Sequence, residues 1–359
     1  MSREAREVPT AGAGAGAGAG TGDGTMAAEG AGDAEVRAGG RWRERLSDLV
    51  SQVAAGAALI IVFVYLSIAA PRFLTFDNLF NIGTQTAVVS VIAIGMTFVI
   101  ITAGIDLSVG SVAALAGVLG TMLVADFDLP VVVGVLGGIA VGAAAGAFNG
   151  LLVAVGGITP FIATLGMLSV ARGLVYIITN ATAVQGAPQS FRLLGQGAIS
   201  GFPIPVMVLL VVAAAGAFVL ARTRLGRYTY AIGSNPEAAR LSGIPVGRYL
   251  ASVYLLSGAL AGFGGMINAS RLGSGQPNYG IGLELDVIAA AVVGGASLFG
   301  GQGTVLGTLI GAFLIALIRT GSVLLNINTF YQNVIIGVII WVAVFWDQFR
   351  RRRLDRSSD

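Results

Sequence analysis

The chain has 359 residues, 55% of them hydrophobic and 11% charged, with a formal net charge of +3. It contains no Cys, His or Lys, which excludes disulfides, thiolate and imidazole chemistry, histidine metal ligands and the Walker A loop, whose lysine holds ATP phosphates. The net charge does not indicate nucleic acid binding, because every basic residue is Arg and these cluster at the ends of apolar segments, where they set orientation in a membrane.

The N-terminal region is low in complexity. Residues 1–40 are rich in Ala and Gly, with scattered acids and no run that could bury a core, as is typical of disorder. Three arginines follow, Arg41, Arg43 and Arg45. The first apolar run begins only near Leu49, so no signal peptide is expected. The sequence predicts a disordered cytoplasmic tail over residues 1–48.

Long apolar segments fill the rest of the chain. They cover 49–70, 82–103, 108–125, 130–155, 159–179, 203–221, 249–269, 285–299, 303–321 and 330–346. A large soluble helical domain would need amphipathic surface helices, and these are missing. The pattern predicts an all-α polytopic membrane protein of about ten transmembrane helices, interrupted by glycine-rich breaks, with one transmembrane domain over 49–346.

Three arginine clusters predict the topology. They are Arg41 to Arg45, the polar stretch 222–248, and Arg350 to Arg353. The positive-inside rule places all three in the cytoplasm, so an even number of crossings must separate neighbouring clusters. Six segments lie between the first two clusters and four between the last two. Ten spans fit, with both termini cytoplasmic and a basic cytoplasmic tail over 347–359. The weakest segment, 285–299, also fits a re-entrant half-helix.

Few charged residues fall at membrane depth, where each is costly and therefore a functional candidate. They are Asp106, Arg172, Glu284 and Asp286, with Arg271 and Arg319 near segment ends. The set is too small for a proton relay. Asp106 and Ser108 lie in a polar, glycine-flanked break, Gly104-Ile-Asp-Leu-Ser-Val-Gly-Ser111. Such breaks often line transport pathways, although either residue could instead cap the next helix.

One segment carries an ordered row of glycines, Gly134, Gly138, Gly142, Gly146 and Gly150. A glycine at every fourth position lets another helix backbone approach closely. The row predicts tight packing within the subunit, and a special role at a dimer or pathway interface is the alternative.

Neutral polar residues within or beside the spans could serve a sugar pathway, because hydroxyl-rich solutes need donors and acceptors rather than charge. They are Asn149, Thr159, Thr164, Asn180 and Asn268. The alternative is that they bond to neighbouring helices, as most polar residues in membrane helices do. Asp106, Ser108, Asn149, Thr164 and Asn268 are the pathway candidates.

The polar stretch 222–248 contains a short helix. Asn235 can cap it, with Pro236 at its first position and Glu237 in its positive-end turn, or Ser234 and Glu237 can form a capping box. Gly243 and then Pro245 end it. A helix of about two turns should be ordered only when docked on another surface. Its apolar face would consist of Ala238, Ala239, Leu241 and Ile244.

Glu284 and Asp286 precede a second glycine-rich break, 294–303. The charge count places this region on the external face. Paired carboxylates suggest glycoside hydrolysis, but at positions i and i+2 their side chains diverge. A helix cap, or a contact with an external partner, is the preferred interpretation.

Four motifs in order resemble the permease subunit of ribose/xylose-type ABC importers. They are Gly104-Ile-Asp-Leu-Ser-Val-Gly-Ser111, Gly157-Ile-Thr-Pro-Phe-Ile-Ala-Thr-Leu-Gly166, Gly233-Ser-Asn-Pro-Glu-Ala-Ala-Arg-Leu-Ser-Gly243 and Glu284-Leu-Asp-Val-Ile-Ala-Ala-Ala-Val-Val-Gly-Gly295. The resemblance covers about 50–346. The broader family also includes permeases for branched-chain amino acids and nucleosides, and the first motif is most similar to the sugar branch.

The resemblance implies a homodimer of permeases in a bacterial inner membrane, two cytoplasmic ATPase subunits, and an external binding protein that delivers a monosaccharide. It implies that 233–243 is a coupling helix seated in a groove of the ATPase. Its residues would be Asn235, Glu237, Ala238, Ala239, Arg240 and Gly243. ATP would be used by the separate subunit, so no cofactor or metal is expected in this chain.

Two other classes of function remain as alternatives. An ion-coupled secondary transporter or a channel would need no partner for 222–248, and would usually place several acids or histidines at mid-membrane. A membrane-embedded enzyme would need a nucleophile and base, or a metal site, and the sequence offers neither. The predicted function is transport, not catalysis, of a pentose-like sugar; a nucleoside or a branched-chain amino acid is the alternative cargo.

Overall fold

A computed structural model describes residues 52–355. The predicted tail over 1–48 lies outside the described residues, as do residues 356–359. Thirteen helices are found in the described range: α1 (Gln52–Ala69), α2 (Phe76–Ile101), α3 (Val109–Ala125), α4 (Val131–Ala154), α5 (Pro160–Thr179), α6 (Leu193–Gln196), α7 (Ile204–Arg222), α8 (Arg224–Ser234), α9 (Pro236–Leu241), α10 (Val246–Leu272), α11 (Leu283–Val293), α12 (Val305–Leu324) and α13 (Thr329–Asp355). A 3₁₀ turn (Gln189–Arg192) and a two-stranded antiparallel hairpin, β1 (Ala198–Ile199) and β2 (Phe202–Pro203), join α5 to α7.

The predicted all-α membrane fold is confirmed, and each of the ten apolar segments contains a helix. Eight of the described helices are long and apolar enough to cross a membrane. The other two are α3, with 17 residues, and α11, with 11. At about 1.5 Å per residue α11 is roughly 16 Å long, about half of a bilayer core. It is a half-helix, the alternative that the glycines of 285–299 suggested. The last helix continues to Asp355, nine residues past the predicted end at 346.

One loop, 294–304, fixes which ends of the helices lie together. The Tyr230 hydroxyl of α8 donates to Gly303 O at 2.6 Å, and Gln52 at the start of α1 donates to Thr304 at 3.0 Å. Near the end of α13, Asp347 accepts from Ser297 at 2.7 Å. The start of α1, the polar stretch after α7 and the end of α13 therefore share one end of the bundle. All three adjoin arginine clusters, so this end is the cytoplasmic one.

This arrangement corrects the expectation that the second glycine-rich break is external. The loop 294–304 is at the cytoplasmic end, because α11 carries the chain toward the polar stretch and the loop completes the crossing. Within this region, only the residues that precede α11 lie toward the external side.

The helix α2 lies at the centre of the bundle. Almost every residue from Thr86 to Ile101 is buried, and α2 packs against α7, α10, α11 and α12. The glycine row of α4 packs against α10: Gly142 touches Gly258 and Gly262, and Gly146 touches Tyr254 and Gly258. The predicted close packing within the subunit is confirmed.

The helices α3 and α11 begin after similar motifs. Gly104-Ile-Asp-Leu-Ser-Val leads into α3, and Gly282-Leu-Glu-Leu-Asp-Val leads into α11. The two run in opposite directions, and their N-terminal ends meet, with Gly110 against Gly280 O and the Glu284 carboxylate. Discontinuous helices related by inverted repeats are a recurring design of transporters.

Candidate functional site

The short helix in the polar stretch is α9, and Asn235 caps it as predicted. The Asn235 Oδ1 accepts from the backbone N–H groups of Glu237 at 3.0 Å and Ala238 at 2.9 Å. Two of the N–H groups that a helix start leaves without partners are satisfied in this way. Gly243 has φ +80°, a backbone conformation that residues with a side chain rarely adopt, so the helix ends there.

One side of α9 is docked and the other is free. Ala239 is buried and packs with Ile232 and Val246, with Ile244 partly buried beside them. The other two residues of the predicted apolar face are not covered within the chain: Leu241 is 83% exposed and Ala238 is also exposed. Glu237 and Arg240 are 3.7 Å apart and both largely exposed, so their attraction contributes little to stability. The result is an ordered, exposed ridge at the cytoplasmic end.

The helix α8, which the sequence did not reveal as a separate element, anchors this ridge. Its backbone at Gly233 lies against the carbonyl of Ile101 and the N–H of Gly301, and Gly301 N–H itself donates to Ile101 O at 2.8 Å. Together with the bond from Tyr230 to Gly303, these contacts join α8 to the end of α2 and to the loop 294–304. The ridge is thus attached to both glycine-rich breaks.

Asp106 is the centre of a buried hydrogen-bond cluster in the first break. It is 1% exposed; Oδ1 accepts from Ser108 N at 3.0 Å and Ser108 Oγ at 2.6 Å, and Oδ2 accepts from Ser257 at 3.2 Å. Ser108 is at the cap position of α3, but its side chain makes no capping bond. The expected cap is replaced by a turn in which Asp106 holds Ser108.

Two further predicted residues join this cluster, and one does not. Asn149 Nδ2 donates to Ser108 Oγ at 3.0 Å, and Thr164 Oγ1 donates to Ile105 O at 3.1 Å. Asn268 is near the other end of α10, where it accepts from Arg271 at 3.2 Å. The four clustered residues are buried, and their bonds stay inside the protein, so they hold α3, α4, α5 and α10 around the break.

The two acids of α11 differ in environment. Asp286 is 8% exposed and forms an ion pair with Arg319 of α12, 2.7 Å between Oδ1 and NH2. The expectation that it contacts an external partner is therefore wrong, because its carboxylate is already paired inside the bundle. Glu284 is half-buried, with its carboxylate beside Gly110 at the start of α3; an external contact for it stays a prediction.

Arg172, in α5, holds the chain that leads into α11. Its NH1 donates to the carbonyls of Pro277 at 2.9 Å and Tyr279 at 2.8 Å. Arg172 is 12 residues into α5, about 18 Å along the helix from its cytoplasmic start. The segment 273–282 therefore descends into the protein before α11 begins.

Sequence reasoning missed two hydroxyl residues of α10: Ser257, which donates to Asp106, and Tyr254, whose hydroxyl lies beside Gly104. Their only signal was a hydroxyl on a membrane helix, and most such hydroxyls bond within their own helix. The pair of Asp286 with Arg319 was also missed, although both residues stood out as charges among apolar neighbours.

Comparison with known proteins identifies relatives along most of the chain. Residues 78–344 match the family described as "Branched-chain amino acid transport system / permease component". The ribose import permease protein of Escherichia coli strain K12 is 44% identical over 294 residues, 81% of this chain and 91% of that protein. The D-allose transport system permease protein of the same strain is 40% identical over 290 residues, 80% and 89% of the two chains. The L-arabinose ABC transporter permease protein of Azospirillum brasilense is 37% identical over 330 residues, 92% and 96%. No solved structure matches the chain.

Proposed function

Because the chain belongs to the family of permease components of the branched-chain amino acid transport system type, we propose that it is the membrane-spanning subunit of an ATP-driven importer that moves a monosaccharide into a bacterial cell. It is a multi-pass membrane protein and a transport subunit, not an enzyme. The observation that carries the proposal is the exposed, capped ridge α9, attached through α8 to both breaks of the membrane domain.

A sugar is the favoured cargo because the relatives named for their cargo carry sugars. Ribose, D-allose and L-arabinose are all small polyhydroxy compounds, and the three permeases named for them are 37% to 44% identical to this chain. The family description names branched-chain amino acids, which keeps these as the second candidate cargo.

The partner for α9 is a cytoplasmic ATPase subunit, since the chain has no lysine for a Walker A loop. In this proposal the exposed side of α9 fits a groove of the ATPase, with Leu241 as the apolar contact and Glu237 and Arg240 as polar contacts at its edge. A leucine that is 83% exposed in water is the kind of apolar group that a partner buries.

Movement of α9 would reach the membrane domain through two contacts. One is the packing of Gly233 on Ile101, at the end of the central helix α2 and beside the Asp106 cluster. The other is the bond from Tyr230 to Gly303, in the loop that follows α11. The ATPase-docking ridge is thus connected to the end of α2 by a backbone contact and to the loop after α11 by a side-chain hydrogen bond.

The remaining partners are an external binding protein that delivers the sugar and a second copy of the permease. The external end offers the segment 180–203, with its short hairpin, and the segment 273–282, joined by a backbone pair between Val184 and Gly275. We assign contact with the binding protein to this joined surface. A role of Asp106, Ser108, Asn149, Thr164 or Asn268 in touching solute stays a prediction.

The test is ATP-dependent sugar uptake in proteoliposomes that contain this chain, its ATPase and its binding protein. The variant Glu237→Arg with Gly243→Trp should lose both uptake and co-purification of the ATPase. The control for co-purification of the ATPase is Gly201→Trp at the external end, because Gly201 and Gly243 both have positive φ and open space around them, so backbone strain is matched. Uptake without ATP, or full uptake by the double variant, would overturn the proposal.

A further inference from the structure

A small polar cavity lies between α2, α11 and α12. Its volume is about 70 Å³, and its polar lining consists of Gln85, Thr86, Asp286, Arg319 and Thr320, with aliphatic side chains around them. We call it the polar chamber. A volume of this size holds a few water molecules, so its groups are solvated or bound to ligand groups that replace water.

The polar chamber is at membrane depth. Arg319 precedes the external end of α12 at Leu324 by five residues, about 8 Å, and Gln85 follows Phe76 by nine residues, about 14 Å. Even so, the Arg319 side chain is 37% exposed and Gln85 is exposed. A guanidinium and an amide that face lipid tails at this depth are costly. The mouth of the chamber is therefore expected to face a water-filled path or protein.

Hydrogen-bonding capacity in the chamber is only partly used. The NH2 group of Arg319 donates to Asp286, while the buried Nε of Arg319 has no partner within the described range. Thr86 is 0% exposed, and its hydroxyl likewise has no partner among the residues that the structure describes. An unpartnered buried hydroxyl costs free energy unless a ligand or water completes it. Two hydrogen-bonding groups of the chamber lining thus have no partner within the part of the chain that the structure describes.

The charges favour a neutral ligand. Asp286 and Arg319 form an ion pair at 2.7 Å. The chamber therefore offers a cation no unpaired carboxylate and an anion no unpaired guanidinium. Hydroxyl groups both donate and accept hydrogen bonds, as the amide of Gln85 and the hydroxyls of Thr86 and Thr320 require.

We propose that the polar chamber is a contact site for the hydroxyl groups of the transported monosaccharide, at the point where α11 begins inside the membrane. This rests on the proposed function as a sugar permease. The chamber admits one edge of a sugar rather than the whole molecule, so contact is brief and weak. Weak contact suits a membrane subunit that receives its solute from a binding protein. Substrate sites near the start of a discontinuous helix are common in transporters.

Cysteine labelling tests the site, and the chain has no native cysteine to interfere. Gln85→Cys in proteoliposomes should react with a charged, water-soluble methanethiosulfonate, and saturating ribose with its binding protein and ATP should slow the reaction several-fold. The control is Val211→Cys on α7, 70% exposed and about 10 Å from the helix start at Ile204; it should not react. A Gln85→Cys that is inert, or that reacts equally with and without sugar, would overturn the proposal.

Uptake measurements are the second test of the proposed contact. Thr86→Val should slow ribose uptake about fivefold, the loss expected for one hydrogen bond, and should slow uptake of a deoxyribose less. Thr84→Val is the matched control, because Thr84 is buried in the same helix and bonded to Asn81 O. Equal uptake by both variants would reject the chamber as a solute contact. If the wild-type complex imports no sugar, the proposed function fails instead, and the labelling of Gln85→Cys still reports whether the chamber is open to water.

Discussion

Gly233 of α8 packs directly on the carbonyl oxygen of Ile101, the last residue of α2. No side-chain atom fits between the two backbones. The contact joins the cytoplasmic ridge to the most buried helix of the protein.

Gly233→Ala is expected to weaken this contact because the new methyl group overlaps Ile101 O and Gly301 N. Overpacking of this kind typically costs about 1–3 kcal/mol. We expect a lower midpoint of thermal unfolding in detergent and lower ATP-dependent uptake, with the ATPase still bound because α9 keeps its cap. Gly166→Ala is the control, since Gly166 has open space; an equal effect of the two changes would contradict the interpretation.

Gly142→Ala is expected to separate α4 from α10. Its Cβ would overlap the backbone of Gly258 and Gly262, and backbone atoms cannot turn away as a flexible side chain can. A loss of about 1–3 kcal/mol is expected, measured as unfolding in a graded denaturant series. Gly173→Ala, at a helical position with open space, should not lower stability, since Ala favours the helix over Gly.

Asn235→Ala removes the two hydrogen bonds that cap α9. The loss of such a cap costs about 1 kcal/mol, and because α9 has only six residues this should fray the ridge. We expect weaker ATPase binding in a titration with purified subunits, and near-normal binding for Asn235→Asp, which keeps an acceptor oxygen. Ser242→Ala, at the other end of α9, tests whether any polar loss there has the same effect. Unchanged ATPase affinity in Asn235→Ala would exclude the ridge as an ordered docking element.

A double-mutant cycle tests the pair of Asp286 and Arg319. Either Asp286→Asn or Arg319→Gln alone leaves a charge without its partner inside the bundle. Each single change should therefore lower the free energy of unfolding by more than half of the loss that the two changes cause together. Arg319 is part-exposed, so water moderates the loss. Thermal unfolding of the four proteins gives the coupling energy, and strictly additive effects would mean that the pair contributes nothing.

The sequence predicted local features well because each depends on neighbours in the chain. The cap by Asn235, the end at Gly243 and the close packing of the glycine row follow from residues a few positions apart. The resemblance to sugar permeases rested on four short motifs and agrees with the relatives found along the chain.

Features that depend on distant parts of the chain were not predictable. Asp286 and Arg319 are 33 residues apart, and Asp106 and Ser257 are 151 apart. Nothing in either neighbourhood indicates the partner. The second break was assigned to the wrong side because the external position of the residues before α11 was extended to the loop after it, although the ten-span count puts the end of that segment in the cytoplasm. Which apolar residues of α9 stay exposed was not predictable either, because apolar spacing alone cannot distinguish a buried face from a docking face.

The interleaved glycines of α4 and α10 also decide how motion can pass through the protein. Where Gly142 sits between Gly258 and Gly262, a slide of part of a turn would drive one backbone into the other. We therefore expect α4 and α10 to move together as one rigid unit. Since α10 starts at Val246, five residues after α9 ends at Leu241, we expect a displacement of the ridge to move α10 and α4 together.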